Sequence, residues 1–309
     1  VNLNTAEPKP YQIYIIVAIS VLAWSFGPIC VRFAFQYNMP PDLIVSLRMV
    51  LASIAFTPFV WSRYKHEILK ISQHNLMLAI LAGTMFGINL IAMTTSLQHI
   101  SVLINQVLVG TSPIWVAILE VSVLKSRLNR MIWIGIIIAF VGGVIIALAT
   151  SGEASIVENG NSTLGVILAL ISAVGASMYL TIGRTIRKTV SFAPYIWLVY
   201  TSGSVVTLFV LIINRVPILG YDIEGYFWIL VLTVLSQIIG HGALNYALKF
   251  LPPTTLSVTG QSVPIMSAIW ALFLFAEIPT ILQMLGGIVI LMGVLLVIAN
   301  QRKPVKATN

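Results

Sequence analysis

Gln237, His241 and Asn245 stand four residues apart, so on one helix they project from a common face as a stripe of three hydrogen-bonding side chains. Met85, Asn89 and Met93 repeat that spacing earlier in the chain, an amide between two adaptable thioethers. These groups can hold a small solute and line a cavity that accepts an apolar one. The other reading is that they only tie helices together by hydrogen bonds. Bond-making chemistry is not indicated: there is no His-Glu-x-x-His, no Gly-x-Ser-x-Gly, no nucleotide-binding P-loop, and no aspartate falls in the middle of an apolar segment. No cofactor or metal ion is expected. The single cysteine, Cys30, excludes a disulfide within the chain and a cysteine metal cluster, and reads as a packing residue.

The segments that carry these residues are strongly apolar. Of 309 residues, 58% are hydrophobic and 8% charged, against about 25% charged in soluble domains, so the chain is an integral membrane protein. A bilayer core takes roughly 20 apolar residues of helix. The hydropathy pattern predicts an all-α fold of ten transmembrane helices, near 12–35, 41–61, 75–97, 101–123, 130–150, 163–186, 192–213, 224–248, 254–275 and 279–299. The first run is too long for the core of a cleavable signal peptide and reads as a span. Lysine and arginine crowd into alternate connectors, among them Arg63, Lys65 and Lys70, then Lys125, Arg127 and Arg130, then Arg184, Arg187 and Lys188. Both termini are therefore expected in the cytoplasm. This placement accounts for the net charge of +8, so no nucleic-acid partner is implied.

The chain also repeats itself 151 residues on: Leu97 recurs as Leu248, Pro113-Ile114 as Pro264-Ile265, Gly135 as Gly286 and Gly142 as Gly293. Two units follow, 1–150 and 163–309, joined by an extracytoplasmic linker, 151–162. Five spans per unit is an odd number, so the second copy is expected to be inverted in the membrane. The runs Ser96 to Ser101, Thr111-Ser112-Pro113-Ile114 and Gly135 to Gly143 resemble the EamA repeat of the drug/metabolite transporter superfamily. Their second copies, Tyr246 to Pro252, Gln261 to Ile265, and Gly286 with Gly293, resemble it too. The resemblance implies a multi-pass transporter of a bacterial or archaeal cytoplasmic membrane with a central cavity between its halves. It further implies export of small neutral or zwitterionic metabolites such as amino acids, with nucleotide-like or other anionic metabolites as the alternative and a receptor or scaffold as a remoter one.

Within that frame the cavity is expected where the third and fourth spans face the eighth and ninth. Pro113 and Pro264 lie mid-span, where each removes a backbone hydrogen bond, and they read either as hinges or as fixed bends. Gln261 stands beside the second of them, where the first copy has Gly110. Asn89 likewise aligns with Gly240, so symmetric walls carry unequal chemistry. Trp24, Trp115, Tyr179 and Tyr200 are candidate aromatic walls. Arg48, inside the second span, either attracts an anionic solute or snorkels outward to pair with Asp42. The seven-residue glycine spacing on the fifth and tenth spans suits close packing, within a monomer or across a homodimer. The expected partners are the lipid bilayer and a small-molecule substrate.

Overall fold

The computed structural model describes residues 8–100, 102–150, 161–276 and 278–300. All of their regular secondary structure is helical. In chain order the helices are α1 (Pro10–Ser25), α2 (Gly27–Gln36), α3 (Pro41–Arg63), α4 (Lys65–Lys70), α5 (Gln73–Ser96), α6 (Val102–Val109), α7 (Ser112–Ser122) and α8 (Arg130–Thr150). The second half holds α9 (Ser162–Ile186), α10 (Phe192–Ile213), α11 (Ile223–Leu232), a π-helix (Thr233–His241), α12 (Gly242–Ala247), α13 (Pro253–Gly260), α14 (Val263–Phe275) and α15 (Ile281–Asn300). Most of the linker expected at 151–162, and Glu277, lie outside the described residues.

Starts and stops follow from local chemistry. Proline occupies the first turn of α1, α2, α3, α7, α13 and α14, where its missing N–H costs nothing. Ser72 and Asn161 cap α5 and α9 by accepting from the backbone N–H groups of Asn75 and Leu164. Glu67 Oε1 accepts from the backbone N–H of Ser191, one residue before α10, at 2.7 Å. Among the described residues nine helical runs are long and apolar enough to cross a bilayer. The residues expected to form the fourth span run as two short helices, α6 and α7, and those expected to form the ninth run likewise as α13 and α14. Large apolar side chains such as Ile54, Phe209, Ile212 and Leu295 point outward, as a lipid-facing surface requires. The chain is a multi-pass membrane protein.

Helices pack across the halves more than within them. The principal pairs are α8 with α15, α5 with α9, α3 with α10, α5 with α10, and α1 with the π-helix. The glycine spacing serves the first pair inside the chain. A Cβ added at Gly135 would lie 2.9 Å from the carbonyl oxygen of Gly293, and one added at Gly286 would lie 2.9 Å from that of Gly142. Early residues of one helix meet late residues of the other, so α8 and α15 are antiparallel. Their bare backbones touch, which gains the dispersion energy that lipid cannot supply. Polar rungs tie α3 to α10: Ser46 donates to the Thr207 carbonyl at 3.0 Å, Ser53 and Thr201 share a 2.7 Å bond, and Trp197 Nε1 donates to Thr57 at 2.9 Å.

Candidate functional site

The stripe begins on the π-helix and ends on α12. Gln237 and His241 both lie within the π-helix, whose turn is wider than that of an α-helix. Side chains from neighbouring helices take up carbonyls along the wide turn: Ser20 donates to Gly240 O at 2.7 Å and Tyr200 Oη to Gln237 O at 2.6 Å. His241 then lies between Trp24 of α1 and Phe86 of α5, with ring centroids 4.6 and 5.0 Å away. Phe86 stacks on Tyr179 of α9 at 4.6 Å, and the Asn245 amide nitrogen donates both to Tyr179 Oη and, at 2.6 Å, to the His241 carbonyl. Four expected site residues therefore meet: Trp24, Tyr179, His241 and Asn245. Two polar atoms in this cluster, His241 Nδ1 and Asn245 Oδ1, are buried without a hydrogen-bond partner.

Gln237 faces a different way. Its Oε1 accepts from Arg48 Nε at 2.9 Å and Arg48 Nη2 at 2.5 Å, while its amide nitrogen approaches Met49 Sδ at 3.4 Å. The outward pairing of Arg48 with Asp42 does not occur. Asp42 instead accepts from Asn214 at 2.8 Å, and Arg48 is only 8% exposed. Six positions apart on α3, Asp42 and Arg48 project from different sides of the helix, whereas Gln237 meets Arg48 from the π-helix.

On α5, Asn89 Oδ1 accepts from Ser172 Oγ of α9 at 2.9 Å. Gly175 lies against the same residue: a Cβ built on it would sit 3.4 Å from Asn89 Cβ and 3.0 Å from the Met85 carbonyl. One repeat on, Gly240 lies against Trp24 of α1, its added Cβ 3.0 Å from the Trp24 nitrogen. Asn89 and Gly240 are equivalent positions, as are Trp24 and Gly175. Each contact thus pairs a glycine with a bulky residue, in opposite senses. Met85 and Met93 are half-buried on α5, and the Met93 carbonyl accepts from Asn105 at 3.2 Å. Trp115 bonds within its own half of the chain, donating to Thr111 at 3.1 Å, and is not part of the His241 cluster.

Pro113 and Pro264 sit in the first turns of α7 and α14, just past breaks at equivalent positions after α6 and α13. The carbonyl that Pro113 leaves free, on Val109, accepts from Ser112 Oγ at 2.6 Å. Gly110 O is also out of the helical ladder, and Gln261 Nε2 donates to it at 2.7 Å across the 151-residue offset. Beside this bond is a cavity of about 30 Å³, bordered by Gln106, Phe140, Gly143 and Ile290 among others. It is water-sized. Packing around the two breaks is unequal. α7 buries Pro113, Val116, Ala117 and Glu120, whereas no residue of α14 is buried.

Three contributors go beyond the expected site residues. Phe86 carried a usable signal, since it aligns with Gln237 in the second copy. Arg48 was singled out, but its partner could not be read from spacing. Glu120, two residues before the end of α7, is buried, and its Oε2 accepts from the backbone N–H and hydroxyl of Thr254 at 3.1 and 2.6 Å, holding α7 to the start of α13. Near that end Arg184 Nη1 donates to Leu248 O at 2.5 Å, and Arg187, just past α9, donates to the Asn245 carbonyl at 3.3 Å and to that of Val190 at 2.5 Å. Burial pulls the Arg187 guanidinium down to about 10, with neighbouring Tyr195, Tyr246 and Glu67 opposing, so it stays a cation at neutral pH.

Known proteins place this arrangement. Over 296 residues the chain is 25% identical to an uncharacterized transporter of Archaeoglobus fulgidus, covering 93% of this chain and 99% of that one. It is 24% identical to the uncharacterized transporter YdfC of Bacillus subtilis over 287 residues, covering 93% and 90%. It is 21% identical to the uncharacterized inner membrane transporter YhbE of Escherichia coli K12 over 285 residues, covering 89% and 87%. A crystal structure 14% identical in sequence superposes with a TM-score of 0.77 over 93% of this chain and 96% of the other, which shows a shared fold. These likenesses support a location in the cytoplasmic membrane. The profile of the EamA-like transporter family matches twice, at residues 12–148 and 163–299, and the chain belongs to that family.

Proposed function

We propose that the chain is a secondary or facilitative transporter, working as an exporter of small neutral or zwitterionic metabolites such as amino acids. The observation that carries this reading is the cluster of Trp24, Phe86, Tyr179, His241 and Asn245. It is assembled from helices of both copies around two polar atoms that have no partner. An unpaired buried polar atom costs about 1–3 kcal/mol, and the polar groups of a bound solute, an N–H onto Asn245 Oδ1 among them, would remove that cost. Asn89, Met85, Met93, Gln237 and Gln261 are proposed to extend the binding surface, with Trp115 at its edge and Pro113 and Pro264 as hinges. The cluster is closed in this conformation.

The proposed architecture is ten spans in two inverted five-helix repeats, 1–150 and 163–309, with both termini in the cytoplasm. The two family matches begin at residues 12 and 163, the same 151-residue offset as the repeat, which supports the division. Antiparallel packing of α8 and α15, equivalent helices of the two copies, supports the inversion. The tight α7 and loose α14 support alternating access, one side of the molecule being closed while its counterpart is not. Purified protein in proteoliposomes provides the test. Efflux of labelled amino acids is expected, falling about tenfold or more in His241→Ala and Asn89→Ala. No flux of any amino acid or nucleotide-like solute would sink the transport reading, and wild-type flux in both variants would sink the site.

A further inference from the structure

Arg48 is a cation inside a membrane protein whose described carboxylates are all engaged or placed elsewhere. Asp42 accepts from Asn214, Glu67 from the Ser191 backbone, and Glu120 from Thr254, while Asp222 and Glu224 are exposed. Among the described residues Arg48 hydrogen-bonds only to the neutral Gln237. A guanidinium carries five N–H donors. Nε and the adjacent edge of Nη2 both go to one oxygen, Gln237 Oε1, which leaves the Nη1–Nη2 end of the fork unused. That end has the spacing of two carboxylate oxygens. Gln237 is itself fully buried, and its backbone carbonyl is fixed by Tyr200 Oη, so the fork is held rigidly on its used side. Arg48 stands seven residues into α3, about 10 Å along the helix. A buried charge without a counter-ion is costly, and a visiting anion offsets that cost where a resident one would remove the need.

We propose that Arg48, oriented by Gln237, receives the carboxylate of the transported solute, so that the substrates are carboxylate-bearing metabolites and the corresponding amines are rejected. This rests on the transport reading above. The experiment measures both binding and flux. Binding is read as thermal stabilisation of purified protein by 3-phenylpropionate, L-phenylalanine and phenethylamine, and flux as uptake of labelled L-phenylalanine into proteoliposomes with the other two as competitors. In the wild type the two carboxylates are expected to stabilise the protein and phenethylamine not to, with 3-phenylpropionate competing in uptake.

Arg48→Gln should lose carboxylate stabilisation and at least tenfold of uptake. Gln237→Glu places a resident carboxylate on the fork, and should raise the protein's own Tm while abolishing the same two signals. A merely structural role for Arg48 would raise Tm in Gln237→Glu as well but leave carboxylate binding and uptake intact. That outcome, or equal stabilisation by phenethylamine and 3-phenylpropionate, overturns the proposal. Carboxylate-specific stabilisation without flux for any solute would overturn the transport reading and leave Arg48 as the anion receptor.

Discussion

Gln261 shows how one side chain can replace a missing stretch of helix. Where the break before α7 takes Gly110 O out of the ladder, the Gln261 amide supplies the donor from the other copy, at 2.7 Å. Gln261→Ala leaves that carbonyl without its protein partner beside a cavity that holds no more than a water. A loss of about 1–3 kcal/mol is expected, read as a lowered Tm in detergent. Gln261→Glu should do at least as badly, since it faces an acceptor with an acceptor. The alignment of Gly110 with Gln261 was visible in the sequence, and so was their unequal chemistry. Their contact was not, because equivalent positions of two copies meet only if they lie near the axis relating the copies, and spacing says nothing about distance from an axis. Arg48 failed to be legible for a similar reason. Its partner lies 189 residues away on a π-helix, and no periodicity in the sequence announces a wider turn.

At the level of helices, the α8–α15 pair makes a sharper claim than glycine content alone. Gly142 and Gly143 are neighbours with opposite surroundings: a Cβ on the first would lie 2.7 Å from Gly286 O, while nothing lies within 4 Å of one on the second. Gly142→Ala should force the two backbones apart and lower Tm by several degrees. Gly143→Ala should be neutral or mildly stabilising, because alanine is worth about 0.5–1 kcal/mol over glycine in a helix. If both changes cost the same, the interhelical contact is not what the glycines serve. The existence and order of these helices were readable from hydropathy, since each apolar run is bounded by proline or polar caps. The breaks inside them were not: the fourth and ninth apolar runs are continuous in composition, but each is divided at the equivalent place, between Val109 and Ser112 and between Gly260 and Val263.

On the scale of the whole molecule, the expected topology assigns each connector a side. Cys30 is fully buried, so the native thiol should stay silent and single introduced cysteines should report cleanly. With both termini in the cytoplasm, Leu69→Cys should react with an impermeant maleimide only in inside-out vesicles, and Leu219→Cys only in right-side-out cells. Both positions are well exposed, at 66% and 79%. Labelling of both from the same face would rule out the inverted arrangement, whatever the transport assays show.

The glycine exchange between Asn89–Gly175 and Gly240–Trp24 bears on how such a chain can have arisen and what it can no longer do. A symmetric pair of first halves would press Asn89 against Trp24 at a spacing that suits a glycine on one side. A symmetric pair of second halves would set Gly240 against Gly175 and leave a gap. Neither half is its own best mate at this contact, so each has become the complement of the other, and the covalent fusion keeps together two parts that could not be interchanged.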